Sequence, residues 1–455
     1  MKRILALALA MLLTAGAVIG VAAYKTDALA NKTAVSVRSL YGDPAAADGF
    51  TVNYRAAWAR RLYWDITVPF GGAAPQAAFT YYKEKAPLEY DFQPSTGLES
   101  ELDQPGFFAD QPANAQKGLS RVLKELYDET PAGEYRTRQV TLKDYYAYYP
   151  LRFRLTLPDF GASFNESAVW KRFNDFFRFP VADTDNIELY MDKRNGGGFG
   201  SAMLGASWSG YNGGDFFDIA TEDAVALSRS RCFLAIRPVK QYGSDQFMDF
   251  GEVPGGYGLY SFRYDEEKLS YDPEVDFLAG EIENVLPLST DAAVVRLTLN
   301  ADESRLRIFT EEPDGYYMTV LDTDTLLEIQ KLRLGVEVMN TYLEGAGVTV
   351  LSDGENVAAV TEENGVYTLR FAAPIKPGDE FTPPDLWTAQ SACFADGRLA
   401  IAGPFNDSRT ENGCDTYLLV YDETGLKYCG VCESGPGARA KAYESGVENV
   451  EVRSQ

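Results

Sequence analysis

The chain has 455 residues, 45% hydrophobic, 13% aromatic and 24% charged, with 42 basic residues against 66 acidic ones and no histidine. That length and apolar fraction suit a folded protein of two to four domains and exclude wholesale disorder, collagen-like repeats and coiled coils. A net charge of −24 repels phosphate backbones, so no nucleic-acid partner is expected. The missing imidazole removes Ser-His-Asp and Cys-His catalysis and every zinc site that needs histidine.

Lys2 and Arg3 precede an uncharged, largely apolar run from Ile4 to Ala23. As a helix this run would cover ~30 Å, the thickness of a bilayer core. The expected layout is a cytoplasmic tail over 1–3, an uncleaved transmembrane signal-anchor over 4–23 and a linker over 24–34. The rest is then extracytoplasmic, on a single-pass protein of the cell membrane. The same stretch has the parts of a secretory signal, with small residues at Val21-Ala22-Ala23 or Ala28-Leu29-Ala30. The alternative is therefore a cleaved peptide and a secreted protein.

From about Val35 the chain changes to short apolar or aromatic runs separated by Gly, Asp, Asn and Pro, the texture of an all-β protein. Strands are read at Phe50 to Tyr54, Arg61 to Val68, Gln139 to Leu142, Leu151 to Leu157, Ile187 to Met191 and Cys232 to Arg237. Further ones lie at Gly258 to Tyr264, Val294 to Leu299, Tyr317 to Leu321 and Tyr417 to Tyr421; many of them alternate, as half-buried strands must. Two stretches have helical spacing instead. One is Ala115 to Asp128, with Leu119, Val122, Leu123 and Leu126 on one face. The other is Glu166 to Phe177, with Val169, Trp170, Phe173 and Phe177 on one face and Asn165 at the N-cap position. Both read as short helical insertions between strands. The segment 436–455, opening with Pro436 and Gly437, reads as a flexible tail.

A weak repeat runs through the strands. Val420-Tyr421-Asp422-Glu423-Thr424-Gly425-Leu426 is echoed by Val320 to Leu326, by Val360 to Val366, more faintly by Arg263 to Leu269 and by Tyr190 to Gly196. In each, a strand ends at an acid, a tight polar turn follows and a second strand leaves. The acids at 192, 265, 322, 362 and 422 are separated by 73, 57, 40 and 60 residues, a mean of about 57, near the upper end of blade-repeat lengths. This hairpin resembles the inner part of a β-propeller blade of the loose WD40 or YVTN kind. The resemblance implies a β-propeller-like domain over 35–435 with about seven blades, six to eight. A β-sandwich pair, or a separate N-terminal domain over 35–160, is the alternative.

Little in the chain points to catalysis. Cys232, Cys393, Cys414, Cys429 and Cys432 are too few and too scattered for a disulfide framework. Cys429 and Cys432 have metal-motif spacing but fall in a strand, where positions three apart face opposite sides. Asp183-Thr184-Asp185-Asn186 and Asp322-Thr323-Asp324 alternate acids without the glycine of a calcium loop and read as turn acids. Gly196-Gly197-Gly198-Phe199-Gly200 precedes no helical pattern and reads as a hairpin loop, not a phosphate cradle. No metal and no cofactor is expected.

The segment from Ser207 to Phe217 has the composition of a ligand loop. It sets Trp208, Tyr211 and Asp215 on a glycine-rich stretch, with Gly255-Gly256-Tyr257 as a smaller relative. Flat aromatics beside amide and carboxylate groups suit sugar rings or a partner's backbone; the other reading is that these rings fold over strand ends. The tyrosine-rich run Asp144 to Pro150 reads as packing at a strand edge. The expected function is a non-catalytic, membrane-anchored binding or sensing scaffold for a protein or envelope polymer. The alternative is a carbohydrate-active enzyme using two carboxylates.

Overall fold

The computed structural model describes residues 11–21, 24, 34–58, 62–81, 97–102, 118–149, 151–156, 172–173, 175–193, 204–208, 220–228, 230–239, 248–265, 278–336, 341–378, 381–405, 415–435 and 446–454. Each strand named above forms within a residue or a few of its expected limits. The chain divides into two compact units, residues 1–90 with 332–455 and residues 91–331.

Among the described residues the first unit holds three antiparallel sheets. One runs β18 (Thr341–Gly345), β19 (Val348–Ser352), β20 (Asn356–Glu363) and β21 (Val366–Pro374). The next runs β22 (Ser391–Ala395), β23 (Arg398–Phe405), β24 (Asp415–Asp422) and β25 (Gly425–Gly435), and takes β1 (Ala34–Gly42) as a fifth strand on its outer edge. In the third, β26 (Gly446–Ser454) comes first and is followed by β2 (Phe50–Trp58), β3 (Leu62–Pro69) and β4 (Gln76–Tyr81). Two segments far apart in sequence thus meet in this unit, β1 on β25 and β26 on β2.

Alternation explains why these sheets stack. In β24, Leu418 and Val420 face a cluster with Val52, Trp64 and Val68, whereas Tyr417, Leu419 and Tyr421 face a cluster with Val357, Ala359 and Leu399. All five β24 side chains are fully buried, and an aliphatic side chain so placed contributes about 1.5–3 kcal/mol. First strands of neighbouring sheets touch: Ala346, just after β18, bridges in parallel to Cys393 of β22, and Ser391 of β22 accepts the Val452 amide of β26 at 3.0 Å.

The second unit has two four-stranded sheets. They are β10 (Ala220–Leu227), β11 (Arg231–Val239), β12 (Gly258–Arg263) and β13 (Glu283–Pro287), and β14 (Ala293–Leu299), β15 (Arg305–Glu312), β16 (Gly315–Asp322) and β17 (Glu328–Arg333). A pair, β5 (Gly97–Leu102) with β7 (Leu151–Thr156), lies beside β10, and β10 lies beside β14. A smaller sheet of β6 (Tyr135–Thr141), β8 (Asn186–Asp192) and β9 (Leu204–Trp208) packs with the helix Gly118–Glu129, which buries Val122 and Leu126. Of the second expected helix, only 172–173 and 175–176 are described as helical. Phe173 and Phe177 are buried there, and Asn165, Val169 and Trp170 lie outside the described residues.

The repeated hairpin recurs at one structural position. The acids at 265, 322, 362 and 422 lie at or beside the turn from third to fourth strand of β10–β13, β14–β17, β18–β21 and β22–β25. This is the sheet edge away from the first strand, not the inner part that the resemblance implied. The turn works by side-chain capping: Asp322 accepts the Thr325 amide at 2.8 Å, and Asp422 accepts the Thr424 amide at 2.8 Å. Asn364 and Gly365, at φ 52° and 75°, make the equivalent turn between β20 and β21. Substituting Asp422→Ala should cost about 1 kcal/mol of stability, read from urea unfolding.

Two expectations at the termini need restating. Residues 446–454, expected within a flexible tail, form β26 and bury Val450 and Val452. Asn449, at φ 52°, lies where the pairing with β2 shifts register, and the resulting bulge hides the alternation that a strand would otherwise show. At the other end, residues 11–21 are helical with Met11, Leu12, Leu13, Val18 and Ile19 exposed. Among the described residues no helix is long and apolar enough to cross a membrane, and residues 1–10 and 22–23 of the apolar run lie outside them.

Candidate functional site

Trp208 is the last residue of β9, paired with Ile187 of β8; Tyr211 and Asp215 lie outside the described residues, as does the glycine run 196–200. Tyr257 is 4% exposed and packs edge-on against Phe250, with ring centroids 5.1 Å apart, inside the core of the second unit. The turn before it is a structural joint. Gly255 and Gly256 adopt φ of 81° and 68°, and the Asn284 amide donates to both their carbonyls at 2.9 and 3.0 Å. Tyr257 therefore offers no open ring face for a ligand to stack on.

The other residues singled out by sequence serve the frame. Cys429 and Cys432 project from opposite faces of β25 into different cores, as strand geometry requires. Burial pushes each thiol up to about 12, far from the range of a reactive thiolate. Among the described residues no group of three or more Cys, Asp or Glu could hold a metal ion. In the Asp183–Asn186 segment, Asp183 pairs with Lys143, and Asp185 is 3% exposed and accepts the Tyr149 hydroxyl and the Ala182 amide. Burial, then the Asp185 hydrogen bond, pushes the Tyr149 phenol well up. Tyr149→Phe would leave that carboxylate short of a donor and should cost about 1–3 kcal/mol of unfolding free energy, measured by denaturant titration.

The tyrosine run packs as expected: Tyr145 and Tyr146 lie against the core, and Tyr148 donates to Glu252 at 2.6 Å. The Arg178 guanidinium sits 5.7 Å from the Tyr148 ring centre and donates to Asp175 at 2.8 Å.

Sequence reading missed a site in the first unit, the turn between β21 and β22. Leu386–Thr388 forms one turn of 3-10 helix. Two adjacent apolar residues on such a turn cannot both point inward; Leu386 is 6% exposed and Trp387 is 73% exposed. The turn is clamped from below. The Asp385 carbonyl accepts the Thr388 hydroxyl at 2.9 Å and the Tyr417 hydroxyl at 3.4 Å, and Gln390 donates to Ala402 at 3.0 Å. Gly403 of β23 admits this approach, because a Cβ there would lie 2.6 Å from the Thr388 carbonyl oxygen. The result is a large, flat, solvent-facing ring on a turn that is hydrogen-bonded to the strands beneath it. Pro383-Pro384 before Asp385 was the one local cue that the chain turns here.

No protein-family model matches the chain, and no curated protein matches it. Among solved structures it is similar to BamB from Moraxella catarrhalis at 11% identity and a TM-score of 0.22, over 53% of this chain and 53% of that one. The chain thus spans about half the length of that protein. It is also similar to TolB from Acinetobacter baumannii, at 8% identity and a TM-score of 0.22, over 90% of this chain and 84% of that one. A nidogen/laminin complex gives 8% identity and a TM-score of 0.20, over 59% and 94%. Overlaps this loose leave the fold assignment with the chain's own sheets: a mostly β protein of two units, with several antiparallel sheets of four strands.

Proposed function

We propose that this chain is a β-propeller-like, non-catalytic binding scaffold that presents fixed loop aromatics to a protein or envelope polymer outside the cytoplasm. The observation that carries the reading is Trp387, 73% exposed on a turn locked by Asp385, Thr388 and Tyr417. An exposed indole on a turn whose backbone is already hydrogen-bonded in place spares the cost of ordering that turn on binding, and tryptophan is favoured among interface hot spots. Trp208, at the end of β9, stays a candidate contact in this reading, and Tyr211 and Asp215 are proposed beside it from sequence alone. The propeller arrangement is supported by the way first strands lie side by side within each unit: β18, β22 and β26 in one, β5, β10 and β14 in the other. The acid at 192 entered the spacing count but belongs to the three-stranded sheet β6-β8-β9. The N-terminal apolar segment is the tether, supported by the uncovered side chains of residues 11–21.

Two measurements test this. A photo-crosslinking side chain at position 387 in cells should give one discrete adduct that is absent when the same group replaces Val366, which is also exposed (57%). Equal labelling at both positions, or none at 387, would sink the presenting-ring reading. Carbonate extraction of membranes should leave the full chain in the pellet and release a chain lacking residues 1–33. Release of both would remove the tether.

A further inference from the structure

On its own surface the chain repeatedly solves one recognition problem: a cation over an aromatic ring, held there by an acid. Arg55 sits 5.8 Å from the Tyr63 ring centre and pairs with Asp65 at 2.7 Å. Lys331 sits 4.6 Å from that of Tyr317 and pairs with Glu312 at 2.7 Å. Arg178 with Tyr148 and Asp175 repeats the arrangement.

At the β21–β22 turn two of the three parts are present. Among the described large hydrophobic side chains Trp387 is the most exposed aromatic ring after Tyr24, and no ring contact or cation from a described residue covers it. Asp385, two residues earlier, is exposed. Its carboxylate makes no capping hydrogen bond, although it starts a helical turn where such residues usually cap. What is missing is the cation.

We propose that Trp387 and Asp385 form the docking point for an arginine side chain of a partner polypeptide, its guanidinium stacked on the indole and paired with the carboxylate. The inference rests on the reading of Trp387 as a presenting ring and adds the chemistry it recognises. A net charge of −24 draws basic segments toward the chain as a whole. Indole is the best π-face for a cation. Arginine fits better than lysine because its planar, weakly hydrated group can stack and still donate two parallel hydrogen bonds to one carboxylate. A sugar ring could also stack on the indole and donate a hydroxyl to the carboxylate, but being neutral it would gain nothing from the chain's net charge of −24.

The test uses the full chain labelled with 5-fluorotryptophan, which has five tryptophan signals; loss of a signal in Trp387→Phe assigns that residue. An acetylated, amidated tri-arginine peptide at physiological salt should shift the Trp387 signal selectively. Asp385→Asn should weaken that response about fivefold, and tri-lysine and tri-citrulline should each give a smaller one. An equal shift from tri-lysine, or full retention of the response in Asp385→Asn, would overturn the arginine assignment as non-specific attraction to an acidic protein. A Trp387 shift with chitotetraose and none with tri-arginine would overturn it too, while leaving the presenting ring in place. Silence toward every probe, together with no adduct at position 387, would remove both.

Discussion

Gly345→Ala should destabilise the first unit by more than about 3 kcal/mol, a large loss for a single methyl group. Gly345 closes β18 where it crosses β22. A Cβ there would lie 2.1 Å from the Ala392 carbonyl oxygen and 2.7 Å from its carbon. Those atoms belong to the backbone of the neighbouring sheet's first strand, so no side chain can swing aside to make room. The strands would separate, and with them Val348, Val350 and Ala392, which share one core cluster. Gly280→Ala, with nothing within 4 Å of the new carbon, is the matched control and should stay within about 0.5 kcal/mol of wild type. Urea titrations of the two variants decide it. An unchanged midpoint for Gly345→Ala would mean that the two first strands do not approach as described.

The second large effect is alkaline unfolding. Burial raises the Cys429 and Cys432 thiols to about 12, whereas unfolded thiols ionise near 8.5. The contribution of each is complete below the unfolded value. It is lost as pH rises, because the unfolded chain then sheds a proton that the folded chain keeps. Each thiol removes about 1.4 kcal/mol per pH unit above pH ~9, so the pair removes about 3 kcal/mol per unit until the folded values are reached. Tyr417, also pushed up to about 12 by burial, steepens the fall above pH ~10. Denaturation midpoints collected between pH 8 and 11 should fall steeply. The double variant Cys429→Ala, Cys432→Ala should lose most of the slope between pH 9 and 10; an unchanged slope would place the cause elsewhere.

Alternation and turn chemistry carried much of the fold in one dimension. The strands around Val52, Leu297, Val320 and Leu418 were readable because a strand with a buried face shows its period in the sequence. The Asp422 and Asn364-Gly365 turns were readable because so few residue types tolerate those conformations. The opposed facing of Cys429 and Cys432 followed from strand geometry alone. The helix Gly118–Glu129 followed from the spacing of Val122 and Leu126.

Tertiary structure decided what pairs with what. That β26 enters a sheet with β2, and that β1 becomes the fifth strand beside β25, depends on edges left open hundreds of residues away. A bulge at Asn449 masked the local signal of β26. The acid at 192 looked like another repeat because its sequence matches the same pattern, yet it ends β8 in a separate three-stranded sheet with β6 and β9. Tyr257 looked like a ligand ring and is core, while Trp387, which no sequence pattern singled out, is an exposed ring. Composition records that a ring is apolar, but whether it meets water is set by the turn that carries it, and Tyr417 and Gly403 are brought against the Asp385–Thr388 turn only by folding.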